Sequence, residues 1–360
     1  MPQGSSVMLP YHPDPGFSTE CYHQLRLSIL MTDERTRPWL YSRFVLLKMH
    51  YAMSEQFPML RLEDHLDVYA DILKEDPVCC EGTWTDTIRS CLRAGEYVLL
   101  YLNWKHIPCS NHFRKQDLFH EALIYGFDDA KRQFHLLGFD VGGSLYSSAA
   151  VDYDVLEREF IRHVAEDTPA QQWFAHYGYP ISRLSMKEGA AFPQKVDARR
   201  LYFALDRGRS GADGGGTQVF ALGYTVHEMM ASYFDQLGKG RDLDVAEYSF
   251  WNVMIYKMIQ HNKFMQHRLA YLMQTEPGAV MAKVQLFYVA SGKGLQRIRA
   301  LSLQVQRTGA KDGPEKISLA FREVFEKERR AVALWMSELN QQKLRDAGVI
   351  PSVQPRGDVP

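Results

Sequence analysis

Two short apolar segments, residues 122–127 and 133–139, stand on either side of the polar stretch Asp128–Arg132. Continuous apolar runs of this length, separated by a polar turn, are typical of two buried strands joined in a hairpin. A third run of the same kind, Tyr97–Leu102, precedes them, and the Gly142–Gly143 pair predicts a further turn and strand. The middle of the chain is therefore predicted to form an antiparallel sheet.

Helical patterns flank this strand region on both sides. Before it, helices are predicted at residues 21–30, 39–49, 61–74 and 83–94, and after it at 154–176 and over most of 220–340. Ser18 or Thr19 is the expected cap of the helix that begins at Cys21. For residues 39–49, the periodicity alone leaves a strand open as an alternative. Helices, then antiparallel strands, then helices again indicate an α+β chain.

A chain of 360 residues is longer than one hydrophobic core usually fills, so two domains are expected. The glycine-rich segment 209–218 is the clearest candidate for a linker or loop between them. The predicted organisation is an α+β domain over residues 1–208, an antiparallel helical bundle over 219–345 and a disordered tail over 346–360.

The composition narrows the class of function. Lys and Arg together number 42 against 43 Asp and Glu, which gives a formal net charge of -1. A chain without a basic field is not expected to bind nucleic acid or an anionic membrane surface. No secretory signal or spanning segment is recognised, and five irregularly spaced cysteines are typical of reduced thiols, so a cytoplasmic location is expected. No metal site or bound cofactor is predicted, since the sequence lacks the C-x2-C pair typical of structural zinc.

The hairpin places a histidine opposite a carboxylate. The loop is centred near residue 130, and His120 and Asp140 lie ten residues before and after that centre. Residues equidistant from the centre of an antiparallel hairpin are cross-strand neighbours, so we expect the His120 imidazole within hydrogen-bonding distance of the Asp140 carboxylate. Cys21, at the start of a helix whose dipole lowers a thiol pKa, is the candidate nucleophile. Together the three residues predict a Cys–His–Asp triad.

The residues of this predicted triad carry a resemblance to a known family. A Cys at the start of an early helix, a His in the pattern H-x-x-L-I-x-G-x-D at residues 120–128, and an Asp ending the next strand resemble the papain superfamily. Within it, the pattern is similar to the bacteriocin-processing-peptidase-like branch and to the family of the N-terminal domain of butirosin biosynthesis protein H. The Tyr97–Val98 strand, the Ile107–Pro108 turn and the Asp244–Leu272 helix are similar to those of bacterial proteins associated with nonribosomal peptide and polyketide biosynthesis.

The resemblance implies both a fold and a function. The implied fold is a papain-like cysteine-peptidase-type domain, with N-terminal helices packed on an antiparallel sheet, followed by the helical bundle. The implied function is a cysteine-dependent acyltransferase or cyclase, or a thioester hydrolase, in natural-product biosynthesis, with Cys21, His120 and Asp140 as its catalytic residues. The implied partners are an acyl or peptidyl carrier protein and a small-molecule amine or hydroxyl acceptor. Phosphopantetheine enters only as part of the carrier-protein substrate.

The same residues allow a non-catalytic interpretation. The Gln or Asn that usually precedes the nucleophile in this superfamily is missing from residues 14–19. Its absence favours an accessory protein that keeps the fold and binds carrier domains or a pathway intermediate. Cys21 is then a buried packing thiol and His120 a structural histidine.

Two further sets of residues remain as weaker candidates. Cys109, close in sequence to His112, is a second possible nucleophile in a loop. The cations Lys257, Lys263 and Arg268 are predicted to lie on a solvated helix face, with docking of an acidic carrier protein as the alternative use of that face.

Overall fold

The computed structural model describes residues 5–52, 58–62, 66–80, 82–165, 181–212, 218–239, 245–275 and 278–347. The chain divides into two compact units, each made of two separate stretches. The first unit comprises Met1–Arg37 and Leu66–Phe192, and the second comprises Pro38–His65 and Pro193–Pro360. This division differs from the sequence-based one, because the stretches 38–65 and 193–208 belong to the second unit.

Eleven strands occur in the described part of the chain. They are β1 (Ser6–Met8), β2 (Leu47–Ala52), β3 (Met59–Leu62), β4 (Leu73–Pro77), β5 (Tyr97–Asn103), β6 (Phe119–Asp128), β7 (Gln133–Val141), β8 (Ser144–Asp152), β9 (Ile181–Met186), β10 (Ser210–Ala212) and β11 (Gln218–Leu222). The same residues contain nine α-helices. They are α1 (Cys21–Leu30), α2 (Arg37–Tyr41), α3 (Trp84–Arg93), α4 (Tyr153–Ala165), α5 (Ala198–Asp206), α6 (Thr225–Gly238), α7 (Val245–Thr275), α8 (Ala279–Thr308) and α9 (Gly313–Asp346).

The first unit is built around a seven-stranded antiparallel sheet. Its strands follow the order β4-β9-β5-β6-β7-β8, and β1 pairs with the end of β6. All seven residues of β5 are buried, as its continuous apolar sequence predicts. Residues of α3 and α4, including Ile88 and Phe160, join these strands in one apolar core. The strands predicted at 97–102, 122–127, 133–139 and after Gly143 are confirmed.

The β6–β7 hairpin has the predicted register away from its loop. Leu123 lies opposite Leu137, and Ile124 lies opposite Leu136. Nearer the loop, a β-bulge before Gly126 shifts the pairing by one residue. This strand pairing stops at Leu123, so the first residues of β6 are hydrogen-bonded only to β5 on their other side.

Helix α1 begins at Cys21, as predicted, but its cap differs from the prediction. Glu20 is the N-cap residue and its side chain makes no capping hydrogen bond, so the predicted cap by Ser18 or Thr19 is wrong. All nine residues from Tyr22 to Leu30 are buried. Tertiary packing on every side therefore takes the place of a cap in holding this helix.

Two other predicted helices are wrong. Residues 61–74 contain the end of β3, a short 3-10 helix at Leu66–Tyr69 and the start of β4. Exposed and buried residues alternate along β3, which is the period of a strand and not of a helix. Residues 39–49 divide between α2 and β2, so the strand alternative applies to the second part of that segment. Of the predicted 154–176 helix, residues 166–176 lie outside the described residues.

The second unit combines a small sheet with long helices. Four antiparallel strands pair in the order β10-β11-β2-β3, and every described element after Leu222 is a helix, as predicted. Trp335, Leu269 and Tyr288 lie in its apolar core. Parts of the predicted linker 209–218 belong to the paired strands β10 and β11, while residues 213–217 lie outside the described residues. None of the described helices is long and apolar enough to cross a membrane.

Candidate functional site

Cys21 is the first residue of α1 and its side chain is half-buried. Its thiol donates a hydrogen bond to the Glu121 carboxylate, while the Tyr22 amide donates to its sulfur. Burial raises the pKa of the Cys21 thiol well above its usual range, and the carboxylates of Glu121 and Glu20 raise it further. The helix start was expected to lower this pKa, but burial and two nearby carboxylates outweigh the helix dipole. The resting group is a neutral thiol.

Glu121 is a carboxyl group in the interior of the first unit, only 3% exposed. Burial raises the pKa of Glu121 to about 7, although the nearby Arg26 guanidinium and the hydrogen bond from Cys21 act in the opposite direction. Arg26 itself is committed to Glu75, with 2.7 Å between Nη2 and Oε1 and 3.0 Å between Nε and Oε2. Arg26 is shared in this way and does not offset the effect of burial on Glu121. With a pKa of about 7, Glu121 is about half ionised at neutral pH and can both accept and return a proton.

His120 precedes Glu121 on β6 and has a largely aromatic environment. Its ring stacks on Phe139 with 3.9 Å between ring centroids and an interplanar angle of 12°, and it meets Tyr146 edge-on at 6.1 Å. Burial lowers the pKa of His120 to about 4, so the imidazole is neutral at pH 7. Its Nδ1 atom is buried and has no hydrogen-bond partner.

Tyr146, on β8, brings a hydroxyl to the same group of side chains. Burial raises the pKa of Tyr146 well above its usual range, and the charges of Cys21 and Glu121 raise it further. The phenol therefore stays protonated and remains a hydrogen-bond donor. Its buried hydroxyl has no partner, and neither has the Oε2 atom of Glu121. Buried polar atoms without partners are rare in folded proteins, and here two of them belong to side chains that interact electrostatically with the Cys21 thiol.

Asp140 is not a partner of His120, so the predicted hydrogen bond between them is not formed. Its Oδ2 atom lies 2.6 Å from Nε2 of His112, and its Oδ1 atom accepts from the Asn111 amide at 2.8 Å. The backbone of Asp140 has a positive φ of 51°, which takes this residue out of regular strand geometry. The carbonyl of Asp140 accepts from the Asn111 N–H as well, so a loop before β6 binds this end of β7 through backbone and side chain.

His112 is oriented by the Asp140 carboxylate. The sequence showed no carboxylate that could orient a histidine beside Cys109, and Asp140 is that group for His112. The other ring nitrogen of His112 lies 2.9 Å from the Gln116 amide, so both nitrogens are engaged. Cys109 itself is partly buried, and burial raises its pKa above the usual value. The His112–Asp140 pair has no free nitrogen with which to activate a nucleophile, and it acts as a clasp for the loop.

Sequence reasoning proposed Cys21 and His120 as site residues but did not single out Glu121 and Tyr146. One signal was available for Glu121, since it is the only carboxyl group in the apolar segment Leu118–Phe127. A lone charge within a buried strand needs a partner or a function. Tyr146 had no such signal, because its position depends on how β8 pairs with β7.

The first unit contains a cavity with a volume of about 1030 Å³. Its lining includes Tyr22, the neighbour of Cys21 in the chain, and Glu75, the partner of Arg26. Acidic side chains outnumber basic ones, with Asp67, Glu75, Asp76, Glu96 and Glu188 against Lys74 and Lys187. Among the described residues, no group of three or more His, Cys, Asp or Glu side chains is arranged to hold a metal ion.

The cations proposed for docking on α7 do not form a solvated face. Lys257 is 7% exposed and donates to the Leu60 carbonyl at 2.7 Å. Arg268 is fully buried and its Nε donates to the Tyr41 carbonyl at 2.8 Å. Of the three, Lys263 alone is exposed. The prediction of a solvated face is therefore wrong, because two of these cations satisfy backbone carbonyls inside the second unit.

Comparison with known proteins adds no assignment: no protein-family model matches the chain, and no curated protein matches it.

Proposed function

We propose that the chain is a cysteine-dependent acyltransferase of papain-like fold, which takes an acyl or peptidyl group from a carrier-protein thioester in natural-product biosynthesis. Cys21 is the nucleophile, and Glu121, in place of Asp140, is the carboxylate that acts with it. His120 is the imidazole of the site. The observation that supports this proposal most directly is the hydrogen bond between the Cys21 thiol and a buried carboxyl group whose pKa is raised to about 7.

A base with a pKa near the working pH is the most effective one for a proton transfer. A neutral thiol needs such a base at the moment of attack, because its own pKa is too high for the thiolate to accumulate. In the first step, Glu121 takes the thiol proton, the Cys21 sulfur bonds to the acyl carbon, and the bond from that carbon to the carrier sulfur breaks. The proton then passes from Glu121 to the departing carrier thiolate, so charge and protons balance.

The developing charge on the acyl oxygen requires hydrogen-bond donors. The Tyr146 hydroxyl is protonated, buried and without a partner, so it is suited to donate to that oxygen. The Tyr22 N–H, which donates to the Cys21 sulfur in the resting site, is a backbone donor next to the reacting atoms. These groups take the role of the Gln or Asn that residues 14–19 lack.

In the second step, an acceptor amine attacks the acyl group on Cys21. The amine nitrogen bonds to the acyl carbon, the bond from that carbon to the Cys21 sulfur breaks, and the proton lost by the amine finally passes to that sulfur, which restores the thiol. His120 is neutral and its Nδ1 is unoccupied, so it can receive the amine proton when the acceptor enters.

The experiment that tests this proposal is intact-mass spectrometry of the protein after incubation with acyl-N-acetylcysteamine thioesters, with acetyl, octanoyl and glycyl groups as probes. We expect a mass increase of one acyl group, its removal by added amine, and its loss in Cys21→Ala. Cys79→Ala, which removes an exposed thiol, is the matched control and retains the adduct. Equal acylation of the wild-type protein and Cys21→Ala contradicts the proposal.

The non-catalytic accessory protein remains a second candidate because of one observation. The Cys21 thiol is hydrogen-bonded to a carboxyl group and its pKa is raised, which are properties of an unreactive cysteine. That candidate predicts no adduct with any probe, while Cys21→Ala supports full product formation in a reconstituted pathway.

A further inference from the structure

Strand β8 forms one edge of the seven-stranded sheet in the first unit and spans nine residues. In the described part of the chain it pairs only with β7, and no backbone hydrogen bond reaches its other side. The free side of an edge strand presents a row of unpaired N–H and C=O groups. β8 therefore offers a long row of such groups to another chain segment.

The register identifies the backbone groups that face away from β7. The Tyr153 N–H, directly after β8, donates to the Arg132 carbonyl at 2.9 Å, so these two residues form a hydrogen-bonded pair. Hydrogen-bonded and non-hydrogen-bonded pairs alternate in an antiparallel ladder, and the β7–β8 register has no shift. The N–H and C=O groups of the even-numbered residues Tyr146, Ser148 and Ala150 therefore point away from β7.

β8 lacks the features that usually prevent an edge strand from pairing. Charged side chains and proline are the common protection, and β4, at the opposite edge of the sheet, has both in its sequence Lys-Glu-Asp-Pro at residues 74–77. Residues 144–151 of β8 include neither, and most of them are Ser or Ala. Because an open edge is an aggregation risk, its presence favours a role in pairing with another chain segment.

The same strand carries a residue of the candidate site. The Tyr146 side chain interacts electrostatically with Cys21 and Glu121, so one end of the free edge lies next to the site. Two residues of β8 precede Tyr146 and six follow it, up to Asp152. A peptidyl group with its acyl carbon at the thiol therefore has room to extend along β8 only towards Asp152. Its N-terminus then lies at that end, and it runs antiparallel to β8.

We propose that the free edge of β8 binds an extended peptide segment as an additional antiparallel strand, and that this segment is the peptidyl part of the acyl donor. The identity of the segment rests on the proposed function of Cys21. Backbone hydrogen bonds to Tyr146, Ser148 and Ala150 hold alternate residues of the peptide, so affinity comes from its main chain. Pairing with β8 of a second copy of the chain is the competing use of the same edge.

Fluorescence anisotropy on the full chain with a fluorescein-labelled peptide amide, Thr-Val-Thr-Val-Thr, measures binding without acyl transfer from a thioester. We expect saturable binding, since β-branched residues favour the extended conformation. Two forms of the peptide are then compared, one N-methylated at its second and fourth residues and the other at its third and fifth. One form should bind about tenfold more weakly, because it loses two hydrogen bonds to β8, and the other should bind within about threefold of the parent peptide.

A variant of the edge tests the same contact from the protein side. Ala150→Pro removes one N–H that points away from β7 and leaves the hydrogen bonds between β7 and β8 in place. We expect it to weaken peptide binding by about threefold or more. Ala150→Val, which keeps the N–H, is the matched control and should bind the peptide as the wild type does. Urea titration checks that both variants fold, and the methylated peptides decide the question if Ala150→Pro does not.

The link to the acyl donor has its own measurement. The N-acetylcysteamine thioester of the same pentapeptide should acylate Cys21 at a lower concentration than the glycyl thioester does. Ala150→Pro should remove this advantage and leave the rate with the glycyl thioester unchanged. Alternating sensitivity to methylation without acylation by any thioester supports the strand site and counts against the Cys21 chemistry alone.

The proposal is overturned if the peptide amide does not bind at millimolar concentration, or if both methylated forms bind equally weakly. It is overturned equally if the chain is a dimer that Ala150→Pro dissociates and that the peptide does not disturb. That result would assign the edge of β8 to a second copy of the chain.

Discussion

At the scale of single residues, Cys21 and Glu121 depend on each other. The carboxylate raises the pKa of the thiol, and the thiol proton in turn satisfies one oxygen of the carboxylate. The sequence predicted Cys21 at a helix start and His120 at a strand start correctly, since both follow from local pattern. The predicted hydrogen bond between Asp140 and His120 is not formed. The register of a hairpin determines which residues lie opposite each other, but not which side chains are hydrogen-bonded. The positive φ of Asp140 and the approach of His112 are long-range effects that decide the actual partner.

Replacing Glu121 by Gln should reduce acyl transfer by about 10²–10⁴-fold, because the amide keeps the shape of the side chain but cannot accept the thiol proton. The measurement is the rate of adduct formation with acyl-N-acetylcysteamine thioesters. Asp140→Asn is the matched comparison, since the Asp140 side chain is hydrogen-bonded to His112 and Asn111, and this change should leave the rate within a fewfold of wild type. If Asp140→Asn is as damaging as Glu121→Gln, the original Cys–His–Asp arrangement is the better description.

The pH dependence of the same rate separates the two possible bases. Only the ionised form of Glu121 can take the proton, and its pKa is about 7, so the rate should rise about tenfold per pH unit below pH 7 and level off above it. If His120 were the base, its pKa of about 4 would give a flat profile between pH 5 and pH 8. Glu121→Gln should abolish the pH-dependent rise, while Cys79→Ala should preserve it.

At the scale of elements, the strands of the first unit were readable from sequence because each is a continuous apolar run. The bulge in β6 and the loop that clasps β7 were not, since both depend on packing between distant segments. Trp104 contacts both β6 and β7. Its ring lies against Gly138 of β7, and its indole N–H donates to the His120 carbonyl at 3.2 Å.

Gly138→Ala should therefore disturb both strands that carry the site. A Cβ at this position would lie 2.2 Å from one ring carbon of Trp104, whose ring is fully buried and cannot move aside. We expect a loss of about 1–3 kcal/mol in the free energy of unfolding, measured by urea titration. Gly278→Ala is the control, because its Cβ would meet nothing within 4 Å. Equal stability of the two variants would show that Trp104 is not tightly held.

At the scale of the whole molecule, the second unit is stabilised by a buried polar network as well as by its apolar core. Glu328 is 5% exposed and accepts hydrogen bonds from Asn262, Ser291 and the His227 ring. Although burial raises it, the His227 charge and these hydrogen bonds dominate and lower the pKa of Glu328 to about 2. The helical patterns over residues 220–340 predicted the long helices, but nothing in the sequence marked Glu328 as the centre of a polar network.

Because the pKa of Glu328 is lowered on folding, the free energy of unfolding of the second unit should decrease as the pH falls. The contribution of Glu328 is fully present above the unfolded pKa near 4.5 and is lost as the pH falls towards 2. Its size is about 3 kcal/mol, from the difference between the two pKa values. Glu328→Gln should lose a comparable amount at pH 7 and show a flatter decline in acid, measured by urea titration at each pH. Glu323→Gln, at an exposed position on the same helix, should follow the wild-type curve.

The interleaving of the two units has a consequence for how the chain is made. β2 and β3 emerge from the ribosome early, but β2 pairs with β11, which is synthesised only after the whole first unit is complete. Until then, β2 presents an edge of unpaired backbone groups to whatever is nearby. In ribosome-bound chains that stop before β11, we expect proteases to cleave within segment 38–65. A chaperone that covers strand edges would bind this segment during the same interval of translation.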